Sequence, residues 1–361
     1  MGDKIKNLVI TVGFVLILSI TLIFNVSIKD KDISVSERRR LNQFPTINFQ
    51  TLTSGDMSTK LENYVEDQFV ARDYLRRIKS FASTNIYKKL DNNNLFEKDG
   101  ILYKMEYPLN EANLQKSLNK INYVYDRYLQ GMNVYYAIIP DKNYYLENDE
   151  HLKIDYEGLV RIANAQLNKM NYIDIRDDLT LSDYYKTDLH WKQENLRNVV
   201  SKIENNMNLK NTSQNEYLKN SFGKFYGAYY GQLAIDVLPD ELYTLTNETI
   251  EKCITYNYET QQFGTVYSTS LTADKYDTYL NGATALITIQ NLNSDTEKEL
   301  ILFRDSFGSS IAPLLIENYR KITLVDLRYI SSELLDKYIN FDSQDVLFLY
   351  STLVLNQNVL K

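Results

Sequence analysis

Ser306 stands in Arg304-Asp305-Ser306-Phe307-Gly308, after the apolar run Glu299–Phe303 and before an apolar stretch with helical spacing. A serine at such a strand-to-helix turn can expose its hydroxyl, and the amides that open the helix can hold an oxyanion. The same residues also suit an ordinary helix cap. The partner a nucleophilic serine needs is a base. Only two histidines occur among the 361 residues, His151 and His190. His151 follows the charged run Asn148-Asp149-Glu150 and reads as surface. His190 lies in Thr187-Asp188-Leu189-His190-Trp191. In an extended segment Asp188 and His190 point the same way, because side chains alternate. An aspartate beside a histidine fixes its tautomer and stabilises the imidazolium. A histidine next to the single tryptophan also fits plain packing. Taken together, Ser306 is the candidate nucleophile, His190 the base and Asp188 its orienter.

These residues need elements that bring distant segments together. Asn133–Ile139, Tyr172–Ile175, Glu299–Phe303, Lys321–Leu327 and Asp345–Tyr350 read as strands, mostly near-continuous apolar runs. Helical spacing predicts helices over Glu111–Leu129, Tyr156–Met170, Trp191–Met207, Ser306–Tyr319 and Ser331–Ile339. Such alternation implies a parallel sheet covered on both faces, with ligands beyond the carboxyl ends of the strands. The stretch 211–291, rich in Tyr, Thr, Gly and Asn, reads as a β-rich insertion. Upstream, Asp56–Tyr87 reads as helix and Leu95–Tyr103, with Asp99-Gly100 inside, as a hairpin.

Leu8–Val26 carries no charged residue over 19 positions, long enough to cross a bilayer core. Lys4 and Lys6 precede it, which puts the N-terminus in the cytoplasm and the bulk of the chain outside. No small-x-small cleavage site follows, which favours an uncleaved signal-anchor over a signal peptide. The expected organisation is a cytoplasmic tip and transmembrane anchor over 1–28. A linker and membrane-proximal helical segment follow over 29–90, then a catalytic domain over 91–361.

Lys and Arg number 40 against 47 Asp and Glu, a net charge of −7, which makes nucleic acid a poor partner. One cysteine, Cys253, excludes an internal disulfide and a cysteine-based zinc site, and two histidines argue against a histidine-rich metal centre. No bound cofactor is expected.

Several blocks in order resemble the DHHW family of exported bacterial proteins, related to the alginate O-acetyltransferase-like branch of the SGNH hydrolase superfamily. They are Ser36-Glu37-Arg38-Arg39-Arg40-Leu41 with Phe44-Pro45, Asp67-Gln68-Phe69 with Arg72-Asp73, and Lys98-Asp99-Gly100-Ile101-Leu102-Tyr103. Ile139-Pro140-Asp141-Lys142, the block around His190, Arg304-Asp305-Ser306-Phe307 and Asp326-Leu327-Arg328-Tyr329 continue the series. Leu189 replaces the first histidine of the naming motif, and Leu280-Asn281-Gly282-Ala283 stands where Gly-Gly-Asn is expected.

The resemblance implies an α/β fold: a three-layer αβα SGNH-hydrolase-like domain with a β-rich insertion, behind one transmembrane helix. It implies acyl transfer onto or off a cell-surface glycan. Phe307 and Gly282 become oxyanion candidates, and Arg328 and Tyr350 candidates for orienting substrate. Arg328 as a salt-bridge partner and Tyr350 as a core aromatic are the plainer readings. The leading expectation is an exported O-acetyltransferase acting on a polysaccharide, its acetyl group coming from an unknown donor. A membrane-bound O-acyltransferase and a polysaccharide synthase complex would be its partners. An acetylesterase and a non-catalytic glycan-binding scaffold are the rivals. A glycosidase has no positive support.

Overall fold

The computed structural model describes residues 2–34, 36–37, 39–46, 55–147, 151–212, 214–269 and 274–361. Arg38, the acidic run 148–150 and Ser270 lie outside the described residues. The chain divides into two compact units, residues 1–92 with 231–236, and residues 93–230 with 237–361.

In the first unit, α1 (Gly2–Ser27) is a 26-residue helix with a mean hydropathy of 2.5 in its most apolar window. By length and composition it can cross a membrane. A two-stranded pairing, β1 (Ile33–Ser34) with β2 (Arg39–Arg40), occupies part of the stretch read as linker. The single helix expected over 56–87 is two, α2 (Asp56–Gln68) and α3 (Arg72–Phe81). Ala71, at φ 59°, breaks the helical path between them. Two of the sequence blocks meet here. Asp67 accepts from both Arg39 terminal nitrogens and from the Asn42 amide at 2.8 Å, while Glu37 pairs with Arg72 at 2.6 Å. The Arg39 guanidinium holds the Asp67 carboxyl well below the usual carboxylate range.

The second unit opens with the hairpin β3 (Leu95–Lys98) and β4 (Ile101–Lys104). Asp99 and Gly100 both take positive φ, as a two-residue hairpin turn requires. Two strands then join six later ones in an eight-stranded sheet. In chain order they are β5 (Val134–Ile139), β6 (Asn171–Tyr172), β9 (Ile254–Asn257), β10 (Gln262–Gly264), β11 (Leu286–Gln290), β12 (Glu299–Arg304), β13 (Lys321–Val325) and β14 (Asp345–Ser351). A separate hairpin, β7 (Leu218–Phe225) with β8 (Asp240–Thr246), lies between β6 and β9 in the chain.

The spatial order is β10-β9-β11-β13-β12-β14-β5-β6. From β13 to β6 every pairing is parallel, as the apolar runs imply. The other edge differs: β11 runs antiparallel to β13, and β9 and β10 extend it by antiparallel pairing. The sheet is therefore mixed. Part of the stretch read as insertion is its edge, with β9 and β10 joined as a hairpin and β11 pairing between β9 and β13.

Alternate side chains feed opposite cores. Leu300, Leu302, Leu347 and Leu349 pack with Val199, Val200 and Ile203 of α6 (Arg197–Asn206) and Ile311, Leu314 and Leu315 of α7 (Gly308–Leu315). Ile301, Phe303, Val346 and Phe348 pack on the other face, with Leu114, Leu118 and Ile121 of α4 (Glu111–Val124), Leu159 and Ala163 of α5 (Tyr156–Gln166) and Leu355 of α8 (Thr352–Gln357). Helix, sheet and helix make three layers. The long helix read over 191–207 is shorter, with one 3₁₀ turn at Gln193–Asn195 before α6, and residues 332–337 form a 3₁₀ helix.

Candidate active site

β12 ends at Arg304 and α7 begins at Gly308, so Ser306 sits in the turn between them, at the carboxyl edge of the sheet. Its turn is fixed from both sides. Asp305, buried, accepts from the Phe307 amide at 3.0 Å and from the Ser351 amide at the end of β14 at 2.8 Å. The Gly308 and Ser309 amides donate to the Asp305 and Ser306 carbonyls. Of the amides from Ser306 to Ser309, only that of Ser306 has no acceptor among the described residues, which leaves it for an oxyanion. Gly308 is required at its position: a Cβ there would come within 2.5 Å of Arg304 Cβ.

His190 arrives on a bend rather than on an extended strand. Tyr184 and Trp191 form an antiparallel bridge, and the Tyr185 amide donates to the His190 carbonyl, so residues 186–189 loop out between them. Asp188 turns back on its own chain. Its Oδ1 accepts from the His190 backbone amide at 3.1 Å and lies 2.5 Å from His190 Nδ1. The two side chains meet because of a turn, not because of strand alternation. His190 Nε2 lies 2.7 Å from Ser306 Oγ. Asp188 is fully buried and His190 is 6% exposed, so the charge that develops on the imidazole is poorly screened.

The loop that carries Asp188 is tied down at every step. Asp240 accepts from the Lys186 and Thr187 amides, each at 2.8 Å, and from the Thr187 hydroxyl at 2.6 Å. The Gly227 amide donates to Thr187 Oγ1 at 2.9 Å, and the Ala228 amide to Asp188 Oδ2 at 2.7 Å. Lys142, 3% exposed, donates to the Tyr185 and Lys186 carbonyls at 3.0 and 3.3 Å. Burial pushes its ammonium down to about 7, against the opposing pull of Asp188, Asp240 and Asp141.

Sequence reasoning missed the residues that hold the imidazole ring. Tyr276 stacks on His190 with centroids 3.8 Å apart and planes 11° from parallel, and Phe307 packs at 4.8 Å. The Tyr276 hydroxyl lies 3.1 Å from Ser310 Oγ, which also accepts from Trp191 Nε1 at 2.8 Å. Nothing in the local pattern around Tyr276 marks it, since its role depends on a fold contact 86 positions from His190.

Of the other predicted residues, only Phe307 lies against the histidine. The Gly282 amide donates to the Tyr279 carbonyl at 3.2 Å, in a loop where Leu280, Asn281 and Gly282 all take positive φ. Phe307 offers a buried ring, and its amide is already used. Arg328 forks onto Asp326, at 2.9 Å from Nε and 2.7 Å from Nη2. Tyr350 is a buried aromatic of the second core, its hydroxyl without a partner among the described residues. Buried Arg304 reaches Asp326 at 3.5 Å, while its Nε and Nη2 have no partner among the described residues. His151 is half-buried rather than free at the surface, stacked on Phe96 at 3.6 Å. Among the described residues no group of His, Cys, Asp or Glu is arranged to hold a metal ion.

Comparison with known proteins gives a family match over part of the chain. The model described as DHHW protein matches residues 163–325, the span from α5 to the end of β13. Residues 163–325 resemble the DHHW family. They contain Asp188, His190 and Ser306 alike. A solved DHHW family protein from Eubacterium siraeum DSM 15702 matches at a TM-score of 0.61 and 18% identity, covering 74% of this chain and 95% of that one. Bacillus cereus PatB1 matches at a TM-score of 0.56 and 20% identity, covering 75% and 99%. Its structure with a sulfonyl adduct matches at 0.54 and 19%, covering 74% and 96%. At these identities the likeness is one of fold. No curated protein matches the chain.

Proposed function

We propose that this chain is an exported, membrane-anchored acyltransferase that moves an acetyl group onto a hydroxyl of a cell-surface or secreted polysaccharide through an acetyl-Ser306 intermediate. The observation that carries the reading is the continuous relay Asp188–His190–Ser306, with heavy-atom separations of 2.5 and 2.7 Å. Separations of this length suit direct proton transfer between serine and imidazole.

In the first half-reaction His190 Nε2 takes the Ser306 proton as Oγ attacks the acetyl carbonyl of the donor. The Ser306 amide faces the oxygen that gains charge, and His190 returns the proton to the leaving group. In the second, His190 removes the proton of a sugar hydroxyl, which attacks the acetyl-serine. The tetrahedral intermediate then expels Ser306, and the proton returns to its oxygen. Asp188, acting on Nδ1, keeps the reactive tautomer and stabilises the imidazolium in both halves. A pocket that admits water in place of the sugar would make the same residues an acetylesterase.

The acetyl and glycan specificities rest on the DHHW resemblance. Acetyl-CoA is cytoplasmic, so a domain outside the membrane must be supplied through a membrane-bound O-acyltransferase, and its acceptor points to a polysaccharide synthase complex.

The test uses the purified full chain with an activated acetyl ester, with and without an acetylatable oligosaccharide. Acetyl-Ser306 should form, and acetylated sugar should appear at the expense of free acetate. Ser306→Ala should remain folded and do neither. Acetate release unaffected by sugar would make the protein an esterase; no turnover with intact glycan binding would make it a scaffold. PatB1 was solved with a sulfonyl adduct. By the same logic an aryl sulfonyl fluoride should label Ser306 here, and Ser306→Ala should abolish the label.

A further inference from the structure

Helix α3 wears its amphipathicity inside out. At about 100° per residue, Tyr74, Leu75, Ile78 and Phe81 fall on one arc about 120° wide. All four side chains are exposed, at 66%, 46%, 48% and 59%. The opposite, polar arc is the packed one. Arg72 pairs with Glu37 at 2.6 Å. Arg76 donates to the Gly231 and Gln232 carbonyls at 2.7 and 3.0 Å, and buried Ser80 to the Leu233 carbonyl at 2.6 Å. Gly231 has room for no side chain there, because a Cβ would run into the Ser36 carbonyl. The strip of apolar surface continues past the helix with Ile86, Tyr87 and Leu90, all more than half exposed. In water such an arrangement gains nothing from its apolar side chains.

The same unit says what lies against this face. The Val70 amide, two residues before α3, donates to Asn25 Oδ1 at 2.8 Å, inside the last turn of α1. Asp30, three residues beyond α1, accepts from the Tyr64 hydroxyl of α2 at 3.1 Å, and the Lys31 amide donates to Gln68 at 3.0 Å. The start of α3 is thereby fastened at the outer end of the membrane-length helix. Two cations flank the apolar arc, Arg77 on one side and Lys79 on the other. Apolar anchors edged by lysine and arginine are the pattern of a helix lying in the lipid headgroup region.

We propose that the face formed by Tyr74, Leu75, Ile78 and Phe81 docks on the bilayer surface beside α1, its cationic edges on anionic headgroups. The membrane contact is then a helix and a platform rather than a single tether. This rests on the reading of α1 as a membrane anchor, and the experiment separates the two.

The full chain is reconstituted into vesicles of phosphatidylethanolamine and phosphatidylglycerol carrying brominated acyl chains. Single tryptophans are introduced by Ile78→Trp, Phe81→Trp, Asp73→Trp on the polar arc and Phe14→Trp in α1. Native Trp191 is fully buried and supplies a constant background. The expected result is a blue shift and loss of emission to brominated lipid at positions 14, 78 and 81. Position 73 should instead be quenched by aqueous iodide. Lipid quenching at 14 with iodide quenching at 78 and 81 overturns the platform alone, and assigns the face to another protein or to a second copy. No lipid quenching at 14 overturns the anchor and the platform with it. Two substitutions on the face guard against one that fails to fold.

Discussion

The imidazole of His190 has a carboxylate on one nitrogen, a hydroxyl on the other and two aromatic rings against it, one of them stacked. The carboxylate sets its charge and tautomer; the rings set its plane. These roles separate by substitution. Asp188→Asn keeps the shape but offers the imidazole a poorer partner, and kcat should fall by on the order of 10³ to 10⁴. Tyr276→Phe keeps the stack at 3.8 Å and loses the hydroxyl's bonds to Ser310 Oγ at 3.1 Å and to the Ser306 carbonyl at 3.4 Å, so kcat should stay within about tenfold. Tyr276→Ala frees one face of the ring and should lower kcat by roughly tenfold to a hundredfold through misorientation. Steady-state rates with an activated acetyl ester measure all three. Equal losses for Phe and Ala would show that the hydroxyl, not the ring, matters. Ser306, His190 and Asp188 were legible in the sequence because their types are rare or diagnostic in combination. Tyr276 was not, because a chain with 30 tyrosines gives no local reason to choose one.

At the level of elements, the loop 185–190 is held by segments remote in sequence: Asp240 at the start of β8, Gly227 and Ala228 after β7, and Lys142 after β5. Gly227 is the tightest of these contacts. A Cβ there would lie 2.3 Å from both the Thr187 carbonyl oxygen and Asp188 Cβ. Gly227→Ala should therefore push Asp188 off Nδ1, lowering kcat more than it raises KM, although residue 227 touches no reacting atom. Lys142 makes a prediction with a sign. Its ammonium is pushed down to about 7 by burial, from an ordinary value of 10.5. Between those two values the unfolded chain holds a proton that the folded chain lacks, so stability rises with pH across the window. Lys142→Met removes the dependence. The difference in unfolding free energy, parent minus variant, should grow from pH 7 to 10 by up to about 1.4 kcal/mol per pH unit. Urea titrations in detergent across that range would show it; a flat difference would mean that the ammonium stays charged in the fold. The parallel strands β5, β12, β13 and β14 were legible as apolar runs, and the Asp99-Gly100 turn as a hairpin signal. The antiparallel edge was not, because β9 and β11 are short and their pairing is set by loops, not by composition. The break at Ala71 was hidden for a related reason. Apolar spacing continues across it, and nothing local announces a non-glycine residue at positive φ.

For the whole molecule, the proposed anchor makes the charges beside α1 one determinant of which side of the membrane the rest of the chain occupies. The charges beside α1 pull both ways: Lys4 and Lys6 precede it, while Lys29, Lys31, Arg38, Arg39 and Arg40 follow. Lysines and arginines govern orientation when the flanking segments are short, whereas long domains are translocated largely regardless of charge. More than 300 residues follow α1, so the later cluster is a weak obstacle to export. Export is also what the proposed function requires, because a surface polysaccharide would meet Ser306 only there. In intact cells a protease should therefore remove a tag placed after Lys361, while a tag before Met1 survives until the membrane is opened. The chain should stay with the membrane after alkaline extraction. Protection of the C-terminal tag would put the relay in the cytoplasm, with direct access to acetyl-CoA, and would replace the polysaccharide acceptor with a cytoplasmic one.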